Sequence, residues 1–141
     1  MKNTIINFLT KQDEQFLLEN TDLTIELLNR KLKYKEILIS KVHDKPVGFL
    51  IFEYLRSHIP FIAQIWIQVD FRNKGIGQGL ANYFEHLLVK NNHTMLLSSS
   101  MENNKKTQSL HRHIGFKDCG TISEITDDNT GEIFFKKNLN N

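Results

Sequence analysis

A single stretch of this chain sets its architecture: Gln64-Ile65-Trp66-Ile67-Gln68-Val69-Asp70-Phe71-Arg72-Asn73-Lys74-Gly75-Ile76-Gly77-Gln78-Gly79-Leu80. Its apolar start predicts a strand, its polar middle a loop, and its end the start of a helix. A helix start exposes unpaired backbone N–H groups and carries partial positive charge, so it attracts phosphate. The glycines at 75, 77 and 79 remove side-chain bulk there, and Arg72 and Lys74 add positive charge. The stretch therefore predicts a phosphate site between a strand and a helix.

Two common phosphate motifs do not fit this loop. A Walker loop requires Lys and then Ser or Thr after its last glycine, whereas Gly77 is followed by Gln78 and Gly79. The dinucleotide fingerprint requires a third glycine where Leu80 stands and an acidic residue about 20 positions further on, where Leu97 lies. The glycines alone therefore leave the phosphate ligand open.

The segments around the loop predict strands on both sides of it and helices between them. Large apolar and β-branched residues predict strands over Glu36–Val42, Val47–Tyr54, Ile59–Val69, Thr94–Ser99, Phe116–Ile125 and Glu132–Lys137, with turns at residues 43–46 and 127–131. Helical spacing predicts one helix that starts at Thr10 or Asp13 and a second that starts at Asp22, with an apolar face of Ile25, Leu28 and Leu32. It also predicts a helix over Gln78–Asn91, with an apolar face of Leu80, Phe84, Leu87 and Leu88. A fourth helix is predicted over Asn103–His113, ended by Gly115. A short strand precedes them. This order predicts an α/β or α+β domain on one mixed sheet.

Composition narrows the class of protein. The 141 residues fit one domain spanning 1–141. The net charge of +2 comes from Lys and Arg scattered among acids, so we expect no nucleic-acid partner. The apolar runs are too short to cross a bilayer, and we expect no membrane partner. A single cysteine, Cys119, makes no internal disulfide, which favours the cytoplasm.

Two motifs in register indicate a family. The segment Ile67-Gln68-Val69-Asp70-Phe71-Arg72-Asn73-Lys74-Gly75-Ile76-Gly77 resembles the signature of the GCN5-related N-acetyltransferase (GNAT) family, Arg/Gln-x-x-Gly-x-Gly/Ala after a strand. Asn104, followed by Leu110-His111-Arg112-His113-Ile114-Gly115-Phe116, resembles the family's Asn…Phe-Tyr-x-x-x-Gly-Phe helix. The order of elements agrees along nearly the whole chain.

The resemblance implies a central mixed V-shaped sheet of about six to seven strands with about four helices. It also implies an acyl-CoA co-substrate, acetyl-CoA above all, between two central strands that splay apart, and no metal. By position, the main chain near Ile67 and Val69 would bind the pantetheine arm, unless both residues only pack in the core. Asn104 would lie beside the lower pantetheine. The pyrophosphate would lie on the loop formed by Arg72, Asn73, Lys74, Gly75, Ile76, Gly77 and Gln78.

In this family the acceptor amine attacks the thioester directly in a ternary complex. An alkyl amine of pKa about 10.4 is less than about one part in a thousand neutral at pH 7, so a base must take its proton. The leaving thiolate benefits from an acid, usually a tyrosine, and His111 occupies that position. The base is open, because Gln64 and Gln68 stand on the strand where several members keep a glutamate. Glu53, Asp70 and Glu102 are the candidate bases, and water is an alternative to them.

Other reactive residues have plainer interpretations. Cys119 is expected to be a small buried residue that packs in the core, rather than a nucleophile that becomes acylated. Residues 98–100, three serines without a nucleophile-elbow context, are expected to line the cleft at a strand end. His113 would point away from His111 on a helix, which argues against a His-x-His metal site.

Three functions remain open. The leading hypothesis is acetyl or short-acyl transfer to a primary amine, on a small molecule by preference and otherwise on a peptide or protein. The second is a CoA-binding sensor or partner module without turnover, suggested by His111 and the missing strand carboxylate. The third is nucleic-acid binding. A monomer and a homodimer are both compatible with the sequence.

Overall fold

The computed structural model describes residues 3–140, which form seven strands and four α-helices. In chain order the elements are β1 Thr4–Phe8, a 3-10 turn Lys11–Asp13, α1 Glu14–Asn20, α2 Ile25–Lys33, β2 Ile37–Val42, β3 Lys45–Leu55, β4 Ile59–Ile67, a 3-10 turn Val69–Phe71, α3 Ile76–Lys90, β5 Met95–Met101, α4 Lys105–His113, β6 Lys117–Ile122 and β7 Glu132–Asn138.

The strands form one mixed sheet in the order β1-β2-β3-β4-β5-β7-β6. β4 and β5 pair in parallel, joined by the crossover helix α3, while β1 with β2, β2 with β3, and β7 with both β5 and β6 pair antiparallel. The predicted mixed sheet with interleaved helices is therefore confirmed.

Contacts divide the chain into two compact units. The first comprises residues up to Phe52 together with Gln64–His86. Its core includes an aromatic cluster in which the rings of Phe49 and Trp66 stack with centroids 5.6 Å apart and Phe16 meets both edge-on. On α3, Leu80 and Phe84 are buried as the helical spacing predicts, and Phe84 packs against Phe52.

The second unit comprises Glu53–Ala63 and the chain from Leu87 onward. Phe135 of β7 is fully buried and lies against His111 of α4, while the neighbouring Phe134 stacks on Phe61 with centroids 5.8 Å apart. Because successive strand residues point to opposite faces, α4 covers one face of β7, and Phe134 lies on the other. The prediction of a single domain over 1–141 stays a prediction.

Several predicted boundaries are wrong, each for a local reason. Thr24, not Asp22, caps α2, since its hydroxyl oxygen accepts the N–H of Leu27; Ile25, placed on the apolar face, is 46% exposed. The strand predicted to Val69 ends at Ile67, where a 3-10 turn begins the loop. The hairpin turn is only His43 and Asp44, both at positive φ, so the strand starts two residues earlier than predicted. Cys119 was predicted to be buried, but it is exposed on the edge strand β6.

Candidate active site

The glycine loop is shaped by hydrogen bonds to its own backbone. After β4, the N–H of Phe71 donates to the carbonyl of Gln68 at 2.8 Å, and the Arg72 N–H donates to the carbonyl of Val69 at 3.2 Å. The Arg72 side chain turns back, and its Nε–H donates to the Ile67 carbonyl at 2.7 Å. Arg72 therefore ties the start of the loop to the end of β4.

The middle of the loop leaves a run of backbone N–H groups free. Asn73 and Gly75 have φ of +61° and +84°, which reverses the chain direction just before α3. The first helical hydrogen bond there is from the Gly79 N–H to the Gly75 carbonyl at 2.9 Å. Within residues 3–140, none of the N–H groups of residues 74–78 has a protein acceptor. Such a run of unpaired donors at a helix start fits a phosphate or pyrophosphate.

The glycines leave room at this site. A Cβ atom at Gly75 would meet nothing within 4 Å, and one at Gly77 would approach only the side chains of Ile65 and Ile67, at 3.7 Å or more. The loop itself is exposed from Arg72 to Gly75. A ligand oxygen could therefore reach the free N–H groups without displacing protein atoms.

The strand before the loop is accessible although it is the fourth of seven in the sheet. Phe61 and Ile62 are buried, whereas Ala63, Gln64 and Ile65 are exposed, and Ile65 has 39% of its surface in water. The parallel pairing of β4 with β5 joins Phe61 to Leu97 and Ile62 to Ser98. The second half of a central strand thus offers backbone to a ligand, which an ordinary core strand does not.

The two residues predicted to bind pantetheine differ in their surroundings. The Ile67 side chain is half-buried. Because the Ile67 carbonyl oxygen already accepts the Arg72 Nε–H, the backbone group of Ile67 that could bind a ligand or a neighbouring strand is its N–H. Val69 has 68% of its surface exposed in the 3-10 turn, so the alternative that it only packs in the core is wrong.

In the second unit Asn104 is the N-cap of α4. Its side-chain oxygen accepts the Thr107 N–H at 3.1 Å, and the residue is exposed. The capping role was not predicted. It satisfies one of the free donors at the helix start, and its contact with pantetheine stays a prediction.

His111 is held on both ring nitrogens. Its Nδ1–H donates to the Thr107 carbonyl at 2.7 Å, and its Nε2 lies 2.9 Å from the Ser98 hydroxyl oxygen. Since Nδ1 faces a carbonyl and must carry a proton, the neutral ring accepts the hydroxyl proton of Ser98 at Nε2. The ring also stacks on Phe135 with centroids 4.7 Å apart.

Desolvation by burial lowers the pKa of His111 below 6.5, although the hydrogen bond to Thr107 works in the opposite direction. Burial therefore favours the neutral form of the ring over the protonated one. The acid role predicted for His111 requires the protonated ring, which this environment disfavours. Ser98, expected to line the cleft, is instead almost fully buried against this ring.

The three carboxylates predicted as candidate bases lie in different surroundings. Glu102 is exposed, and its Oε1 accepts the Gly131 N–H at 3.0 Å, which closes the turn before β7. Asp70 is exposed in the 3-10 turn, and Glu53 is half-buried on β3. The structure gives no geometric reason to name Asp70 or Glu102 the base, and Glu53 stays a prediction.

Sequence reasoning missed Glu132. This half-buried residue at the start of β7 accepts the Ser99 hydroxyl proton at Oε2, at 2.7 Å. Ser99 and Glu132 are 33 residues apart and meet through the pairing of β5 with β7, so no local pattern could have identified them.

Two other features carry no assigned role. A cavity of about 780 Å³ in the first unit has the aromatic residues Phe16, Trp66 and Phe71 in its wall. Its lining also includes acidic Glu19 and basic Lys45, so it has no single charge preference. On β6, burial raises the pKa of the Cys119 thiol, with a smaller opposing effect of Lys136, which is the reverse of an activated nucleophile.

Among residues 3–140, no group of three or more His, Cys, Asp or Glu is placed to hold a metal ion. No helix in the same part of the chain has the length and apolar character needed to cross a bilayer.

Known structures share this architecture over almost the entire chain. Ard1 from Thermoplasma volcanium superposes with a TM-score of 0.86 at 15% identity, covering 99% of both chains. The ribosomal-protein-S18-alanine N-acetyltransferase from Escherichia coli superposes at 0.82 with 14% identity, covering 98% of this chain and 95% of its own. A GNAT family acetyltransferase from Elizabethkingia anophelis with acetyl-CoA bound superposes at 0.81 with 18% identity, covering 99% and 100%. No curated protein is matched in sequence.

The sequence profile of the Acetyltransferase (GNAT) family matches residues 5–116. That match covers most of the chain and includes the glycine loop, Asn104 and His111. The chain therefore belongs to the GNAT acetyltransferase family. It is an acetyltransferase whose acetyl donor is acetyl-CoA.

Proposed function

We propose that this enzyme transfers an acetyl group from acetyl-CoA to a primary amine by direct attack in a ternary complex. The observation that supports it best is the run of unpaired N–H groups at residues 74–78 at the start of α3, because it fits a diphosphate without side-chain interference. Lys74 and Arg72 add positive charge to the same loop.

Each residue's part in this proposal follows from its own surroundings. Lys74, Gly75, Gly77 and Gln78 hold the pyrophosphate through backbone N–H groups, while Arg72 and Asn73 shape the turn. The exposed end of β4 offers backbone to the pantetheine amides. The bound donor supplies an acetyl thioester, whose carbon accepts the amine nitrogen.

His111 is assigned to the leaving-group side of the reaction, as the family position implies. Donation to the leaving thiolate requires a proton on Nε2, the nitrogen that in the neutral ring accepts the Ser98 hydroxyl proton. His111→Phe is expected to lower kcat while CoA binding is retained. Full activity of this variant would end the proton role of His111.

A small-molecule amine is the acceptor we favour. Helices α1 and α2, which in this family help to form the acceptor side, are short, at 7 and 9 residues. The amine of a peptide or protein N-terminus is the second candidate, supported by the likeness in fold to ribosomal-protein alanine N-acetyltransferases from Escherichia coli and Brucella melitensis.

The loop assignment is tested by Gly77→Glu. A carboxylate at the phosphate site repels the diphosphate, so affinity for CoA measured by calorimetry is expected to fall by more than about 100-fold. Gly77→Gln, of equal size but uncharged, is the matched control and should lose much less. Because a Cβ at Gly77 has ordinary contacts, both variants should fold. A folded Gly77→Glu variant with wild-type affinity would refute the assignment.

Turnover separates an enzyme from a sensor without activity. Thiol release from acetyl-CoA is measured with a panel of alkylamines, amino acids and short peptides. Acceptor-dependent release is expected for at least one amine. Tight CoA binding with no acceptor-stimulated release across the panel would favour the CoA-binding sensor.

A further inference from the structure

The two serines Ser98 and Ser99 direct their hydroxyl groups to opposite faces of the sheet. Ser98 points to the α4 face, where it meets His111, and Ser99 points to the other face, where its hydroxyl donates to Glu132. Opposite directions follow from the two-residue period of a strand. Ser98 is also the last residue of β5 in the pairing with β4, so Ser99 comes where the two central strands cease to be paired among the described residues.

The strand register places apolar side chains on both sides of Glu132. Met101 of β5 and Ile122 of β6 are each directly opposite Glu132, so all three side chains lie on the same face. Met101 has 38% of its surface exposed and Ile122 has 48%. One carboxylate thus lies between two solvent-accessible apolar groups on three adjacent strands.

The carboxylate is oriented but not neutralised. Ser99 holds Oε2 at 2.7 Å, and within residues 3–140 no partner occupies Oε1. The cations on the same face are Lys136 and its partner Lys117, four residues further along β7 and beyond Phe134, which is about 13 Å away. Oε1 is therefore free to accept a hydrogen bond from a ligand.

We propose that Glu132, oriented by Ser99 between Met101 and Ile122, binds the acceptor as a primary ammonium on an apolar carbon chain and removes its proton. The negative charge complements the ammonium, and the flanking apolar groups complement the chain that carries it. This inference rests on the proposed function and names the class of acceptor and the base that the sequence left open.

The proton and electron balance is complete with the groups named. Glu132 takes one proton from the ammonium at Oε1 and releases it to solvent. The freed nitrogen lone pair forms the amide bond to the acetyl carbon while the carbon–sulfur bond breaks and leaves its electron pair on sulfur. The second proton lost by the nitrogen converts that thiolate to the free thiol.

Direct binding tests the site without turnover. The Met101 methyl group is labelled with ¹³C and followed by NMR as 2-phenylethylamine is added in the presence of free CoA. We expect a saturable shift in wild type that is lost in Glu132→Gln. Met101→Lys lacks the observed methyl group, so binding to that variant is measured by competition against labelled amine and is expected to be lost as well. The charge-reversed 3-phenylpropanoate should produce no shift. An amine shift that survives in Glu132→Gln, or no shift in wild type, would overturn the proposal.

Kinetics test the base role. General bases contribute about 10²–10⁴-fold, so kcat/KM for the amine should fall by at least about 100-fold in Glu132→Gln, while the KM for acetyl-CoA stays within about twofold. Ser99 is a positioning residue: Ser99→Ala should raise the amine KM more than it lowers kcat, and Ser99→Thr should restore the KM. Glu124→Gln, an exposed carboxylate after β6, is the matched control.

The outcomes separate this inference from the proposed function. If wild type transfers acetyl to amines and Glu132→Gln does so equally well, the proposed function stands and the Glu132 site is wrong. If wild type transfers acetyl to no amine, the proposed function fails, and the NMR titration alone decides whether Glu132 binds ammonium.

Discussion

Gly48 and Gly79 differ in the space that the surrounding atoms leave for a Cβ atom. A Cβ atom at Gly48 on β3 would lie 2.6 Å from Ile67 Cδ1 and 3.0 Å from the Trp66 carbonyl oxygen, whereas one at Gly79 on α3 would meet only Ile6, at 3.8 Å. The first glycine lets β4 approach closely just before the phosphate loop. The second has space around it.

The two glycines should therefore respond to alanine in opposite ways. Gly48→Ala is expected to lower the free energy of unfolding by about 1–3 kcal/mol through overpacking, because the backbone carbonyl cannot move aside. Gly79→Ala is expected to raise it by about 0.5–1 kcal/mol, because alanine favours the helix. Urea denaturation measures both. Equal effects of the two substitutions would contradict the contact geometry.

His111 should make stability depend on pH. Its pKa is lowered from 6.5 in the folded chain by desolvation, so below pH 6.5 the unfolded chain binds more protons than the folded one. The stabilising contribution is complete above pH 6.5 and is lost as the pH falls toward the lowered pKa. Wild type should thus lose more stability than His111→Phe over this window. An imidazole titration by NMR that gave a pKa at or above 6.5 would contradict this expectation.

At the element scale, the start of α4 has one residue with two candidate roles. Asn104 caps the helix by accepting the Thr107 N–H, and the family position also implies contact with pantetheine. The two roles need different chemistry, since a cap needs only a short side-chain oxygen.

Two substitutions of Asn104 separate these roles. Asn104→Ala should cost about 1 kcal/mol of stability, and Asn104→Ser, which also caps, should restore most of it. Thermal melting measures the cap, and calorimetry with CoA measures the contact. Loss of CoA affinity in the serine variant with restored stability would identify a direct role of the amide. Wild-type affinity in that variant would leave only the cap.

At the scale of the whole molecule, charge argues against nucleic acid. Eighteen Lys and Arg balance sixteen Asp and Glu, which leaves a net charge of +2. Binding to a nucleic-acid backbone requires several clustered phosphate contacts and weakens steeply with salt. We therefore expect no salt-sensitive retention on DNA or RNA at about 150 mM salt in a mobility-shift assay. Retention at about 150 mM salt that weakened steeply as the salt concentration was raised would contradict this.

The sequence predicted elements and the loop better than side-chain partners. The strand, loop and helix around Gly75 depend on residues close together in sequence, so local patterns sufficed. Boundaries failed where two residues compete for one role, as with Thr24 and Asp22 at the start of α2. The prediction that Cys119 is buried failed because its position on the edge strand β6, and not its residue type, decides its exposure.

The sequence by itself determined the family, the alternation of strands and helices, and the glycine loop that exposes backbone donors. Each of these follows from short-range chemistry: periodicity, glycine conformation and helix ends. Only the tertiary structure decided that Ser98 meets His111 and that Ser99 holds Glu132. Those contacts depend on strand register and helix packing, and a shift of one residue would turn every side chain of β5 to the other face.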